Sequence, residues 1–380
     1  MWVPRRAVAV AAGLVLVSGC TAQEAPGTAQ FQSAVDRRAA AVRAEELAGV
    51  PLGSWSYRVT RVRRDGDRAT ARAELSYRIA GYDSGAVTGE RVLELAERDG
   101  RWYVTSDRPA QGAAQHLWEQ GDIQVVRGRN SLVLGVGQDA ARLKSVAAAA
   151  DRAVPAVSDA WPGGWARRVV VLVPASLKGM GALLGEPAAG YRGIAAVTTG
   201  RVGGGADAPA DRVIVNPEAY AVLGEFGQGV VLAHETAHVA SRAYTSAATP
   251  LWLSEGFADW VAYRGTGRPA ARVAPELRAA VRAGDVPDAL PDDEDFRFGG
   301  SGRSSGGDAG ALARAYEAGW LACALIADRW GEAKLTAFYR AVGKHEKRAG
   351  AVEEALREVL STTPEAFTAQ WRGYLREQLG

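Results

Sequence analysis

The 380-residue sequence holds two cysteines, two methionines and four histidines. Two cysteines exclude a disulfide framework. One of them, Cys323, lies in Trp320-Leu321-Ala322-Cys323-Ala324-Leu325, an apolar helical run that suits a buried, inert thiol. Charge of one sign is scarce as well: 45 Lys and Arg against 43 Asp and Glu leave a net +2. With no basic stripe and no heptad run, nothing points to nucleic acid or to a coiled-coil partner. Internal repeats are absent. The apolar run at residues 7–17 is too short to cross a bilayer, which takes about 20 residues. What remains is a chain 47% hydrophobic and 23% charged, long enough for two domains with a sizeable core.

The first twenty residues read as an address. Arg5 and Arg6 precede the apolar run, which ends in Val17-Ser18-Gly19-Cys20. That ending resembles the lipobox of bacterial lipoproteins. The resemblance implies a signal peptide over residues 1–20, with Cys20 as the lipid-carrying first residue of the mature chain. Two acyl chains then hold the protein on the extracytoplasmic face of the cell membrane. Cys323 is left without a partner, and residues 21–30, small and polar, form a tether.

Residues 31–110 form a first α+β domain in this reading. A helix over 31–47 carries an apolar stripe of Phe31, Val35, Val42 and Leu47. Strand patterns follow at 55–63, 68–79, 87–96 and 102–104, with hairpin signals at Asp65-Gly66 and Asp99-Gly100. One helix before an antiparallel meander resembles the cone-shaped fold of ketosteroid-isomerase-like and SnoaL-like proteins, on element order alone. It holds no acid/base pair, and a membrane-proximal spacer or docking module fits better than a ligand pocket. His116, near Trp118, reads as structural.

Residues 113–380 form the second domain. Strands are expected at 123–126, 132–136, 168–173, 194–198 and 212–215, with an alanine-rich helix over 140–160. From there the chain is almost wholly helical: 227–242, 251–263, 270–283, 309–330, 333–342 and two further helices. Strands first and helices afterwards again give an α+β class. The acidic run Asp292 to Asp295 lacks the spaced ligands of a calcium loop, and the charged run 344–348 around His345 reads as a solvated turn.

Chemistry concentrates in His234-Glu235-Thr236-Ala237-His238. Histidines at i and i+4 share one helical face, so both rings reach one metal ion. Glu235 is offset by about 100° and flanks that ion without binding it, placed to take a proton from the metal's water. Val230, Val231 and Leu232 precede the motif, and a buried helix does not carry His, Glu and His without a partner for them.

A catalytic zinc takes three protein ligands and keeps one open position. Seventeen residues past His238 stands Glu255, within Trp252-Leu253-Ser254-Glu255-Gly256-Phe257-Ala258-Asp259. Trp-x-x-Glu-Gly-x-Ala resembles the second zinc helix of the gluzincins, among them the thermolysin-like enzymes and the membrane alanyl-aminopeptidase and leukotriene-hydrolase group. The resemblance implies that Glu255 is the third ligand and that Asp259, one turn on, bonds the far nitrogen of a zinc histidine. Ala315-Tyr316-Glu317-Ala318-Gly319, read as the opening of a long helix, resembles the aminopeptidase segment Tyr-x-x-Gly. It implies that Tyr316 donates to the tetrahedral oxyanion. The Gly-x-Met-Glu-Asn segment that holds a substrate's free amine is missing, so aminopeptidase activity does not carry over.

Taken together, the resemblance implies a peptidase-MA-like gluzincin with one zinc on His234, His238 and Glu255, cleaving a peptide or protein substrate. Glu235 is its base and Tyr316 its oxyanion donor. Two other readings fit the same residues: a catalytically retired binding protein on this fold, and an envelope-ligand binder working through residues 31–110.

Overall fold

The computed structural model describes residues 28–200, 207–296 and 309–380. The signal segment with Cys20 and the Gly/Ser-rich stretch before Ala309 lie outside the described residues. The class is α+β, as the sequence order implies. Among the described residues no helix is long and apolar enough to cross a membrane.

The first layer opens with α1 (Ala29–Ala41), which widens into a π turn over Val42–Glu46 instead of running on as a regular helix to residue 47. Four strands follow: β1 (Leu52–Asp65), β2 (Arg68–Ile79), β3 (Val87–Arg98) and β4 (Arg101–Pro109). They form an antiparallel sheet in chain order. β4 runs five residues past its expected end, because the register with β3 continues to Arg91↔Pro109. One face alternates small and branched residues, Ala69, Ala71, Ala73 and Leu75 on β2 with Leu93 and Leu95 on β3. The alanines let Phe31 and Val35 of α1 and Trp102 pack directly on the sheet. His116 stacks on Trp118 at 4.2 Å between centroids. Burial, with help from Arg91, pushes its imidazole down to about 4, so it stays neutral.

The second layer is a sheet of β5 (Ile123–Arg127), β6 (Ser131–Val136), β7 (Val169–Val173), β8 (Ala196–Thr199) and β9 (Arg212–Val215), ordered β5-β6-β7-β9-β8. β6, β7 and β9 are parallel; β5 and β8 are antiparallel edges. The unbroken apolar run of β7 follows from cover on both faces. On one face lie α2 (Ala140–Ala160) and part of α5 (Glu225–Ser241), packed through Val146, Val154 and Leu232. On the other lie α3 (Leu177–Leu184) and residues of the first layer, through Met180, Leu183 and Ile79. α3 and the short α4 (Pro217–Ala221) are absent from the sequence reading; each is set by its cap, Ser176 and Asn216.

The helical remainder comprises α6 (Leu251–Tyr263), α7 (Ala270–Val273), α8 (Pro275–Arg282), α9 (Ala309–Trp330), α10 (Glu332–Gly343), α11 (Ala351–Leu360) and α12 (Pro364–Leu379). The single helix expected over 270–283 is two. Pro275 bars its predecessor from the helical region, and Ala274 sits at φ −115°, ψ 64°. The core of this region centres on Trp161, fully buried against Phe257, Tyr339 and Tyr244. Asp293 of the acidic run accepts from Leu251 N at 2.9 Å and pairs with Arg348 at 2.8 Å, anchoring the start of α6. Its role here is to cap a helix.

Candidate metal centre

Three elements converge on one point: α5 carries His234, Glu235 and His238, α6 carries Glu255 and Asp259, and α9 carries Tyr316. α6 and α9 touch backbone to backbone. A Cβ on Gly256 would lie 2.3 Å from the Gly319 carbonyl oxygen, and one on Gly319 would lie 2.7 Å from that of Trp252. Only glycine permits such an approach. The glycines of the Glu-Gly and Tyr-x-x-Gly segments therefore pack on each other. That contact sets Tyr316, one turn before Gly319, beside the residues of α6.

The ligand set is compact. His234 Nε2 and His238 Nε2 stand 3.1 Å apart, and each lies 3.3 Å from Glu255 Oε2. Bonds of 2.0–2.2 Å to a tetrahedral zinc hold ligand atoms roughly 3.3–3.5 Å from one another. The three atoms thus already form one face of such a tetrahedron. Their side chains are 14%, 16% and 16% exposed, enough for a small ligand to reach the fourth corner. No other group of histidine, cysteine and carboxylate side chains among the described residues converges this way.

The same side chains are coupled electrostatically. Burial disfavours the charged form of His234, but Asp259, with Oδ1 2.7 Å from Nδ1, and Glu255 outweigh it and hold the ring well above its ordinary value. Burial would lift Glu255; His238 and His234 instead hold it well below the usual carboxylate range. Asp259 fixes the ring so that Nε2 faces the ligand triangle, the orientation a metal-binding histidine needs.

Glu235 is 7% exposed and lies outside the converging set. Its carboxylate oxygen Oε2 accepts from Thr198 Oγ1 at 2.6 Å, a charge-assisted distance. Thr198 belongs to the edge strand β8, so the sheet and the motif helix meet at this carboxylate. Nothing in the sequence marks Thr198, because a threonine near a strand end is ordinary.

Tyr316 is not at the start of its helix; α9 begins at Ala309, two turns earlier. Burial first, then the charges of Glu255, Asp259 and Glu235, push its hydroxyl far up. A phenol among three carboxylates keeps its proton and so has one to donate. Tyr263, also near Asp259, is pushed up to about 12 by burial and that charge. Cys323 is buried, its thiol raised by burial and by Asp259, and takes no part.

No protein-family model matches the chain, and no curated protein does. Among solved structures it is similar to native yeast LTA4 hydrolase, at 14% identity and TM-score 0.36. The match covers 77% of this chain and 44% of that one, so the chain spans less than half of its length. A likeness at that score carries no weight for fold or function.

Proposed function

We propose that this chain is a gluzincin-type zinc metallopeptidase, cleaving a peptide or protein substrate outside the cytoplasm while anchored by a lipid on Cys20. The observation that carries the catalytic part is the triangle of His234 Nε2, His238 Nε2 and Glu255 Oε2, with edges of 3.1, 3.3 and 3.3 Å. The donor set, two imidazoles and a carboxylate, suits zinc. When bound, zinc would supply Lewis acidity and a water of lowered pKa.

The chain's own residues supply the rest. Asp259 accepts the Nδ1 proton of His234 and fixes that ring. Glu235, steadied by Thr198, accepts a proton from the attacking water and returns it to the leaving nitrogen. Tyr316 donates to the oxygen of the scissile carbonyl as negative charge develops there. β8, a sheet edge beside the motif helix, offers backbone groups to an extended substrate. The anchor rests on the Val17-Ser18-Gly19-Cys20 ending. The proposed division of the mature chain, 31–110 as a docking or spacer module and 113–380 as the catalytic part, rests on the same reading of the sequence.

Digestion of a peptide library by the purified mature protein, read by mass spectrometry with and without a zinc chelator, tests the activity. Cleavage should stop with chelator and fall by at least ~10²-fold in Glu235→Gln. Equal cleavage by that variant would move the activity off this site. Fractionation of cells making Cys20→Ser should find the protein released from the membrane; retention there would remove the anchor.

A further inference from the structure

A cavity of about 260 Å³ lies against the metal centre, lined by Asp259, Tyr263, Val273, Tyr316, Glu317 and Trp320, with Ala313 in its wall. It is smaller than the ~300–1,000 Å³ of whole-ligand pockets, and so suits one side chain and not a whole peptide. Its position is telling: Asp259 holds His234, and Tyr316 faces the same carboxylates. A substrate whose carbonyl lies under the Tyr316 hydroxyl has this cavity within one side chain's reach.

The lining is acidic and aromatic. Two acidic residues, Asp259 and Glu317, line it with Tyr263, Tyr316 and Trp320, and no Lys, Arg or His lines it among the described residues. Arg314 acts on Glu317 electrostatically but does not line the cavity. Carboxylates bind cations by charge, and aromatic rings do so by their quadrupole.

We infer that this cavity receives a lysine or arginine side chain of the substrate, and that Glu317 sets that preference. The inference rests on the peptidase reading above. Glu317 also accepts from Leu277 N at 2.5 Å and Glu276 N at 3.3 Å, the first free donors of α8, whose own cap position is Ala274. Those bonds hold the carboxylate in one place at the start of α8, within a residue that lines the cavity. Burial nevertheless lifts Glu317 to about 7, so its charge is costly there. A cationic side chain offsets that cost; a neutral one of equal shape does not.

The test uses binding, so it does not depend on turnover. Zinc-loaded, full mature Glu235→Gln protein is titrated by calorimetry with two peptide series, identical except for lysine or its uncharged isostere norleucine at each position in turn. At one position lysine should bind about 10-fold tighter or more, the scale of a hydrogen bond to a charged group. Glu317→Gln, which keeps an oxygen for the α8 amides, should bring that ratio close to one. Ala313→Lys leaves the Glu317 bonds alone and places a fixed cation in the wall. It should weaken lysine peptides and spare norleucine peptides. Loss of the cap alone would lower thermal stability without moving the ratio. Equal affinities at every position, or a ratio unchanged in both variants, overturns the inference. Lysine preference without hydrolysis by the unmodified protein would sink the peptidase reading and leave the cavity assignment standing. Hydrolysis without that preference would do the reverse.

Discussion

Two side chains decide how the proposed chemistry is aimed. The Thr198 hydroxyl lies 2.6 Å from Glu235 Oε2 and 3.0 Å from the Glu235 backbone carbonyl oxygen, and its bond to the nearer carboxylate steadies that side chain. Thr198→Val keeps the shape and removes the bond. Steady-state kinetics should show kcat lower by about 10-fold, KM nearly unchanged and metal content intact, with Thr198→Ser recovering most of the loss. A normal kcat in Thr198→Val would mean that the helix alone holds Glu235. Tyr316 differs in the proposed mechanism, where its hydroxyl matters only when charge develops on the substrate. Tyr316→Phe should keep zinc and fold and lower kcat by ~10- to 10³-fold. A rise in KM alone would make Tyr316 a cavity wall. The motif residues were legible because a 3.6-residue period puts His234 and His238 on one face, and one turn separates Glu255 from Asp259. Thr198 was not, since its importance comes from β8 meeting α5 in space.

Among the elements, α6 and α9 owe their close packing to Gly256 and Gly319, and that contact is why two glycines 63 residues apart in sequence bring their segments together. Spacing alone could suggest each segment but not that their glycines touch. The break between α7 and α8 was legible in principle from Pro275, yet the apolar period across it looked continuous. Its consequence is a helix start buried against Glu317. That carboxyl moves from the ordinary 4.5 of glutamate to about 7 in the fold, chiefly through burial. The native state therefore binds more protons than the unfolded one between those values. Its contribution is fullest below pH 4.5 and is lost as pH rises to about 7. Urea midpoints measured across that window should decline with pH in the unmodified protein. The decline should be shallower in Glu317→Gln, and parallel slopes would show that the group does not titrate there.

At the scale of the whole molecule, the first layer is fastened to the second by a buried ion pair. Arg212 Nη2 donates to both oxygens of Asp83, at 2.8 and 2.9 Å, and the Asp83 side chain is 0% exposed. Ala210 N bonds the same carboxylate at 3.0 Å, so β9 is held at the base of the sheet whose edge reaches Glu235. The sequence announced both layers through their strand periods, but a pair 129 residues apart leaves no local trace. Asp83→Ala strands a buried guanidinium and should cost roughly 3–5 kcal/mol by denaturant unfolding, with Asp83→Leu/Arg212→Met recovering much of it. A loss under ~1 kcal/mol would mean that the apolar contacts around Ile79 and Ile214 hold the layers by themselves. Two layers and a helical region bring His234, His238 and Glu255 into one triangle of ligand atoms that could hold a metal ion. Elemental analysis of the purified mature protein beside His238→Ala is the most direct test. The account predicts about one zinc per chain in the first and little in the second; full zinc in the variant, or none in either after growth with zinc, would contradict it.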